Sequence, residues 1–223
     1  MSEAFYDLGG LRFWNEEEIE LRTHIQELLI STVRRSLLGI NSAWTIHQIE
    51  GPCLIPQDQI NEGYTDKDVF VTNHKELRLR PETTASSYLY ARRLHKRPLC
   101  IYQVGKSFRR ELNDGASAAK MRYNEFWQLE FQCIYTNDTK AQYQIPLLTS
   151  VGREVARFTE APIRTSNSDR LPKYSESTID LEVLIAEDKW MEVASCSIRT
   201  DFSEQEKVCE MAIGLDRIVE LSI

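Results

Sequence analysis

No run in this 223-residue chain stays apolar for long enough to cross a bilayer, and no basic stretch at its amino terminus leads into an apolar one. Neither a membrane span nor a secretory leader is expected. Paired cysteines are missing as well. Cys53, Cys100, Cys133, Cys196 and Cys209 are odd in number, widely spaced and without a Cys-x-x-Cys pair. That argues against a disulfide framework and a zinc site and suits a reducing cytoplasm. The four histidines are equally scattered. Positive charge is in deficit, 27 Lys and Arg against 34 Asp and Glu, leaving a net charge of −7. An acidic chain is a poor start for a stand-alone nucleic-acid binder, whose affinity comes largely from phosphate neutralisation. A basic run, Arg92-Arg93-Leu94-His95-Lys96-Arg97, reads either as a local patch or, the favoured reading, as cations at a helix carboxyl end. Internal repeats and low-complexity linkers are absent too.

The remaining composition, 42% hydrophobic and 27% charged, is ordinary for a soluble domain with one substantial core. The most informative stretch is a hairpin pattern. Leu99-Cys100-Ile101-Tyr102-Gln103-Val104 is apolar, aromatic and β-branched and reads as a buried strand. It runs on through Ser107-Phe108-Arg109-Arg110-Glu111 into a loop, Leu112 to Lys120, with the turn signature Asn113-Asp114-Gly115-Ala116-Ser117. Asn124 to Tyr135 reads as the return strand. Alternation puts Phe126, Gln128 and Glu130 on one face and Trp127, Leu129 and Phe131 on the other, toward covering helices. An aromatic plate, an amide and a carboxylate in a row, with Arg109 and Arg122 nearby, is a poor core and a sensible nucleotide pocket.

Around the hairpin, Asn15 to Leu38 is expected to be one long helix. Ile19, Ile25, Leu28, Leu29, Thr32, Val33 and Leu37 recur at helical spacing, Asn15 and Glu18 form its cap, and Gly39 stops it. Trp44 to Ile49 reads as a strand, and Asp68 to Leu79 alternates. Thr83 or Thr84 opens a helix running to about Leu94. Ala141 to Glu160 reads as a helix with Ile145, Leu148, Val151, Val155 and Phe158 on its apolar side, and Ala161 to Glu176 as irregular. Two strands, Ser177 to Ala186 and Lys189 to Ser197, meet at the turn Glu187-Asp188, and a helix from about Ala212 closes the chain. The expected class is α+β, a mainly antiparallel sheet flanked by helices, in one domain spanning residues 1–223.

Phe108-Arg109-Arg110-Glu111, the loop, and Arg122-Tyr123-Asn124-Glu125-Phe126 resemble motif 2 of the class II aminoacyl-tRNA synthetases. The long helix, the strand and Pro52 resemble motif 1, which in that family forms a homodimer interface. Ala212-Ile213-Gly214-Leu215-Asp216-Arg217 resembles motif 3, and the three occur in the family's order. Leu79-Arg80-Pro81-Glu82-Thr83 is similar to a loop of glycyl- and histidyl-type enzymes that presents a glutamate to the substrate ammonium. Read without the family, Glu82 is an anion near a helix start. Trp190 to Phe202 resembles the glycyl-type strand on which a glutamate and a serine three residues later hold ATP-bound magnesium.

The resemblance, strongest to the glycyl-type members of the histidyl/threonyl-like subclass, implies amino-acid activation with ATP and Mg2+. Arg109 would bridge the amino-acid carboxylate and the α-phosphate, and Arg122 and Arg217 would hold the γ-phosphate. Phe126 would stack on adenine opposite Arg217, with Glu111 near its amino group and Gly214 allowing close approach. Glu82, Gln128, Glu130 and Glu210 would take the amino acid, and Glu192 and Ser195 the metal. Ala212 stands where glycyl-type enzymes tend to have serine. The implied partners are an amino acid, with glycine favoured, tRNA through its acceptor stem, and a second copy in a cytoplasmic homodimer. No anticodon-binding domain is expected. A non-tRNA acceptor and a non-catalytic accessory subunit stay open as alternatives.

Overall fold

The computed structural model describes residues 10–74, 76–111, 115–136, 142–169 and 171–223. Asn113 and Asp114 of the expected turn, and Ala141 at the expected helix start, lie outside them. The chain begins with α1 (Glu16–Ile40), β1 (Thr45–Gln48), β2 (Leu54–Pro56), β3 (Leu77–Leu79) and α2 (Thr84–Ala91). The hairpin strands β4 (Leu99–Phe108) and β5 (Glu125–Thr136) follow, then α3 (Gln144–Thr159). Last come β6 (Ile163–Asn167), β7 (Ser175–Ala186), β8 (Lys189–Arg199), β9 (Glu206–Gly214) and α4 (Leu215–Glu220).

Seven strands form one sheet in the order β1-β4-β5-β9-β8-β7-β6. β1 runs parallel to β4, and every other pairing in that sheet is antiparallel. The expected class and hairpin are borne out. One sheet face carries Leu129, Phe131 and Ile213 against Ile25, Leu29 and Val33 of α1 and Leu148, Val151 and Val155 of α3, all but buried. Each such side chain taken fully out of water contributes about 2 kcal/mol. Across this face runs a row of four buried free thiols. Cys100 lies opposite Cys133 and Cys133 opposite Cys209, while the Cys196 and Cys209 sulfurs are 3.4 Å apart. Distant in sequence, the four come together only through strand order.

Several expectations change. α1 has its capping box, with Asn15 Oδ1 accepting the Glu18 N–H at 2.8 Å and Glu18 Oε2 accepting the Asn15 N–H at 3.0 Å. It runs through Gly39, however, and stops at Asn41, whose side chain accepts the Ala43 N–H in a turn of its own. Ile19 and Ile145, counted on apolar faces, are exposed. Asp68 to Leu79 supplies only three strand residues. Ile163 to Asn167, read as irregular, is an edge strand whose one apolar side chain, Ile163, packs on the core while the rest are polar. Ala212 lies inside β9, and the last helix starts at Leu215. β9 is a central strand paired on both sides, and that pairing overrides the helical look of a short apolar run.

Candidate active site

The face opposite α1 and α3 is polar, and strand register builds it. On β5, Gln128 sits between Gly105 of β4 and Gly214 of β9, and Glu130 between Gln103 and Ala212. Ser195 of β8 lies beside Ala212 on one side and Asp180 of β7 on the other. The surface lines a cleft of about 540 Å3. All twelve residues singled out from the sequence line it: Glu82, Arg109, Glu111, Arg122, Phe126, Gln128, Glu130, Glu192, Ser195, Glu210, Gly214 and Arg217. Trp127, on the other face as expected, lies 4.1 Å from the Arg22 guanidinium of α1.

One end of the cleft is acidic and its carboxylates, Glu82, Glu130 and Glu210, are buried. Arg80 crosses β4 at Gly105, where a Cβ would sit 2.1 Å from its Nη2, so any side chain there would displace the guanidinium. Its guanidinium donates to the Lys106 and Gly51 carbonyls, both at 2.8 Å, and so pins the loop that carries Glu82. Glu130 accepts the Thr83 N–H at 3.1 Å and also the Thr83 hydroxyl, which therefore does not cap α2. Glu210 accepts from Thr84 Oγ1 at 3.0 Å and from Gln132 Nε2 at 2.7 Å. Burial first, then Glu210 and Glu82, push the Glu130 carboxyl up to about 8. Burial likewise raises Glu82, against the pull of Arg199.

Arg199 is the counter-charge of this end, and the sequence reading gave it no role. It is 1% exposed, donates to Glu210 at 2.7 Å, stands 3.6 Å from Glu82, and grips Asp201 with Nε and Nη2. Ser195, Ser197 and Arg199 share strand parity, and that signal could have found it. Tyr174, 4.0 Å from the Arg199 guanidinium, and Tyr64, whose hydroxyl donates to Glu82 at 3.2 Å, complete the walls. Both come from irregular segments and were missed.

The other end is cationic and aromatic. Arg109 lies between the two ends, 5.3 Å from the Phe126 ring centroid and 5.5 Å from that of Tyr64, and donates to the Pro81 carbonyl at 3.0 Å. Burial lowers its pKa, but Tyr64, Glu82 and Glu130 more than offset this and hold the guanidinium charged. Arg122 pairs with Glu111 at 3.7 Å. Arg217 donates to the carbonyls of Met121 at 3.2 Å and Glu192 at 2.6 Å, joining the hairpin loop to β8. Gly214 has φ −82°, open to any residue, and a Cβ there would meet Val193 O at an ordinary 3.6 Å. Nothing in the fold itself demands glycine there.

Glu192 and Ser195 are three apart, a spacing that in a regular strand points side chains to opposite faces. Here Leu181 lies opposite Ala194 but Glu182 opposite Glu192, so the register slips by one residue at Val193. The bulge turns both Val193 and Ala194 into the core and returns Glu192 to the Ser195 side. Burial, then Glu192 and Glu182, push the adjacent Asp180 carboxyl up to about 6. Among the described residues no group of three or more His, Cys, Asp and Glu is placed to hold a metal. A carboxylate and a hydroxyl nonetheless suit magnesium, which prefers oxygen and takes most of its ligands from phosphate and water. The basic run after α2 folds back on the chain. Arg97 donates to the carbonyls of Leu94 and Lys96, and Arg92 and Arg97 both lie over Phe202.

Residues 6–222 match the family described as tRNA synthetases class II core domain (F). Among curated proteins, a glycine–tRNA ligase of Lachnoclostridium phytofermentans is 31% identical over 134 residues, covering 56% of this chain and 28% of that protein. One of Thermobifida fusca is 30% identical over 142 residues, covering 56% and 29%. The matched segment thus takes in less than a third of either relative. A crystal structure of prolyl-tRNA synthetase from Cryptosporidium parvum, complexed with L-proline and AMP, superposes over 97% of this chain and 48% of that one. Its TM-score is 0.72 at 14% identity, a likeness of fold.

Proposed function

Since the chain belongs to the class II core-domain family of tRNA synthetases, we propose that it activates an amino acid with ATP and passes the aminoacyl group to tRNA. One observation carries this reading: a single cleft has a cationic and aromatic end, a caged acidic end, and Arg109 in contact with both. The amino-acid carboxylate oxygen attacks the α-phosphorus, a new P–O bond forms, the bond to the β-phosphate oxygen breaks, and pyrophosphate leaves. Two anions must meet, so the site works by charge neutralisation and alignment.

Arg109 offers a planar fork to the carboxylate and the α-phosphate together. Phe126 and Arg217 flank adenine, Gly214 admits the nucleotide against the sheet, and Glu111 lies near the adenine amino group. Arg122 and Arg217 take the γ-phosphate. Magnesium held by Glu192 and Ser195 would supply further positive charge to the phosphates. Glu82, Glu130 and Glu210 receive the substrate ammonium, with Gln128, fixed by the Ser107 hydroxyl at 2.7 Å, lining the approach. The closed acidic end and the names of the relatives both favour glycine. We further propose a homodimer through α1, β1 and Pro52, working in the cytoplasm.

Pyrophosphate exchange into ATP, measured with each of the twenty amino acids, tests the reading. Exchange is expected with glycine, and Arg109→Ala should reduce it by about a thousandfold, the scale of losing a transition-state charge contact. Wild-type protein that binds ATP but supports no exchange would refute activation, and a charging assay with total tRNA then tests the acceptor.

A further inference from the structure

Asp216 stands one residue before Arg217, yet its carboxylate serves a different element. Oδ2 accepts the backbone N–H of Trp127 at 2.5 Å. Trp127 is the residue after Phe126, so one buried side chain joins the two places between which adenine would lie. The backbone of Asp216 is itself held from outside the cleft. Arg12 donates to the Asp216 carbonyl at 3.1 Å and is fixed by Glu18 of α1 at 3.0 Å and Glu220 of α4 at 3.1 Å. Arg12 and Arg22 lie over the Trp14 ring at 4.1 and 4.9 Å, and Arg22 also covers Trp127.

Asp216 is 2% exposed and its Oδ1 has no hydrogen-bond partner. For stability alone this is a poor choice, because a buried, half-satisfied carboxylate is commonly outperformed by an apolar residue of similar volume. What the carboxylate provides that an apolar residue does not is a directional link between β5 and α4. We infer that Asp216 is a positioning residue that sets the separation of Phe126 and Arg217, and through it the affinity for the adenine nucleotide. The inference rests on the nucleotide site proposed above. Burial pushes the carboxyl up to about 7, against the Trp127 N–H, Arg12 and Arg22, so its charge changes near neutrality. The charged groups acting on it are Arg12 from the amino-terminal segment and Arg22 from α1, with Glu18 and Glu220 paired to Arg12 behind them.

Steady-state exchange kinetics on Asp216→Ala and the near-isosteric Asp216→Asn test the inference. The alanine variant should raise KM for ATP about tenfold and leave KM for the amino acid within about twofold, a split that general loosening of the fold would not produce. The asparagine variant still accepts the Trp127 N–H, but without charge. It should show no fall in KM for ATP as pH rises through about 7, whereas the wild type does. A parallel rise of both KM values in the alanine variant, or a wild-type pH profile in the asparagine variant, overturns the inference. If the alanine variant does not fold, the asparagine pH profile decides. A wild-type protein that fails to bind ATP would sink the functional reading as well, whereas ATP-binding variants indistinguishable from wild type sink the positioning role alone.

Discussion

Glu130 meets two opposed demands. Buried between Glu82 and Glu210, its carboxyl is raised to about 8 and stays protonated at neutral pH while the cleft is empty. An ammonium entering the site favours the carboxylate, so binding releases a proton and affinity should climb as pH rises toward 8. Folding feels the opposite. A carboxyl whose folded-state pKa lies above its unfolded value gives its full stabilisation below the unfolded value and loses it as pH rises through the folded one. Ligand-free Glu130→Gln should therefore melt higher than wild type at about pH 8.5 and close to it at about pH 5, while losing amino-acid binding. A variant melting lower than wild type at both pH values would show that Glu130 ionises without penalty. Phe126, Gln128 and Glu130 were legible because alternation along one strand is local. Tyr64 and Tyr174 were not. Their places depend on contacts across the chain, Asn61 with Asp201 and the Tyr174 carbonyl with the Thr200 N–H.

Among the elements, α1 was the easiest to read, since its cap and apolar stripe lie within one contiguous segment. The two capping residues are not equivalent. Asn15→Ala removes one cap bond and should cost about 1 kcal/mol. Glu18→Ala also strips Arg12 of one of its two carboxylate partners, leaving Glu220, so its loss should exceed that of Asn15→Ala and stay below the loss of about 3–5 kcal/mol for an ion pair broken to leave a lone buried charge. Chemical denaturation of both variants checks this, and equal losses would mean that Glu220 alone satisfies Arg12. β6 and β9 were hidden for contrary reasons. β6 has a single apolar residue, Ile163, and so no alternation to announce it, and β9 is apolar enough to pass for a helix until its two neighbours claim its backbone. The bulge at Val193 is the least visible of all. By spacing alone Glu192 points away from Ser195, and only the family resemblance paired them.

The whole molecule is a sheet with two unlike faces. One takes α1, α3 and α4 and is the core, and the other carries charge, amide and hydroxyl groups into a cleft, while α2 packs separately over Leu99, Ile101 and Val208. The class was legible because strands and helices each announced themselves, and the motif order located the site. The insertion of β9 between β5 and β8 was not, because strand order follows from pairings between distant segments. That order brings Glu210 beside Gln132 and makes the acidic end possible.

The same strand order also gives the molecule a gauge of its own integrity. Cys53 is exposed, whereas the other four thiols lie in a row behind the acidic end of the cleft, with burial raising Cys133 and Cys196 beyond easy ionisation. An aromatic disulfide reagent should find one sulfur at once and the remaining four only as fast as the central strands part. Labelling rates then report the opening of the sheet rather than the fraying of its edges, without any probe being introduced. Saturating ATP and amino acid should slow the four and leave the first unchanged.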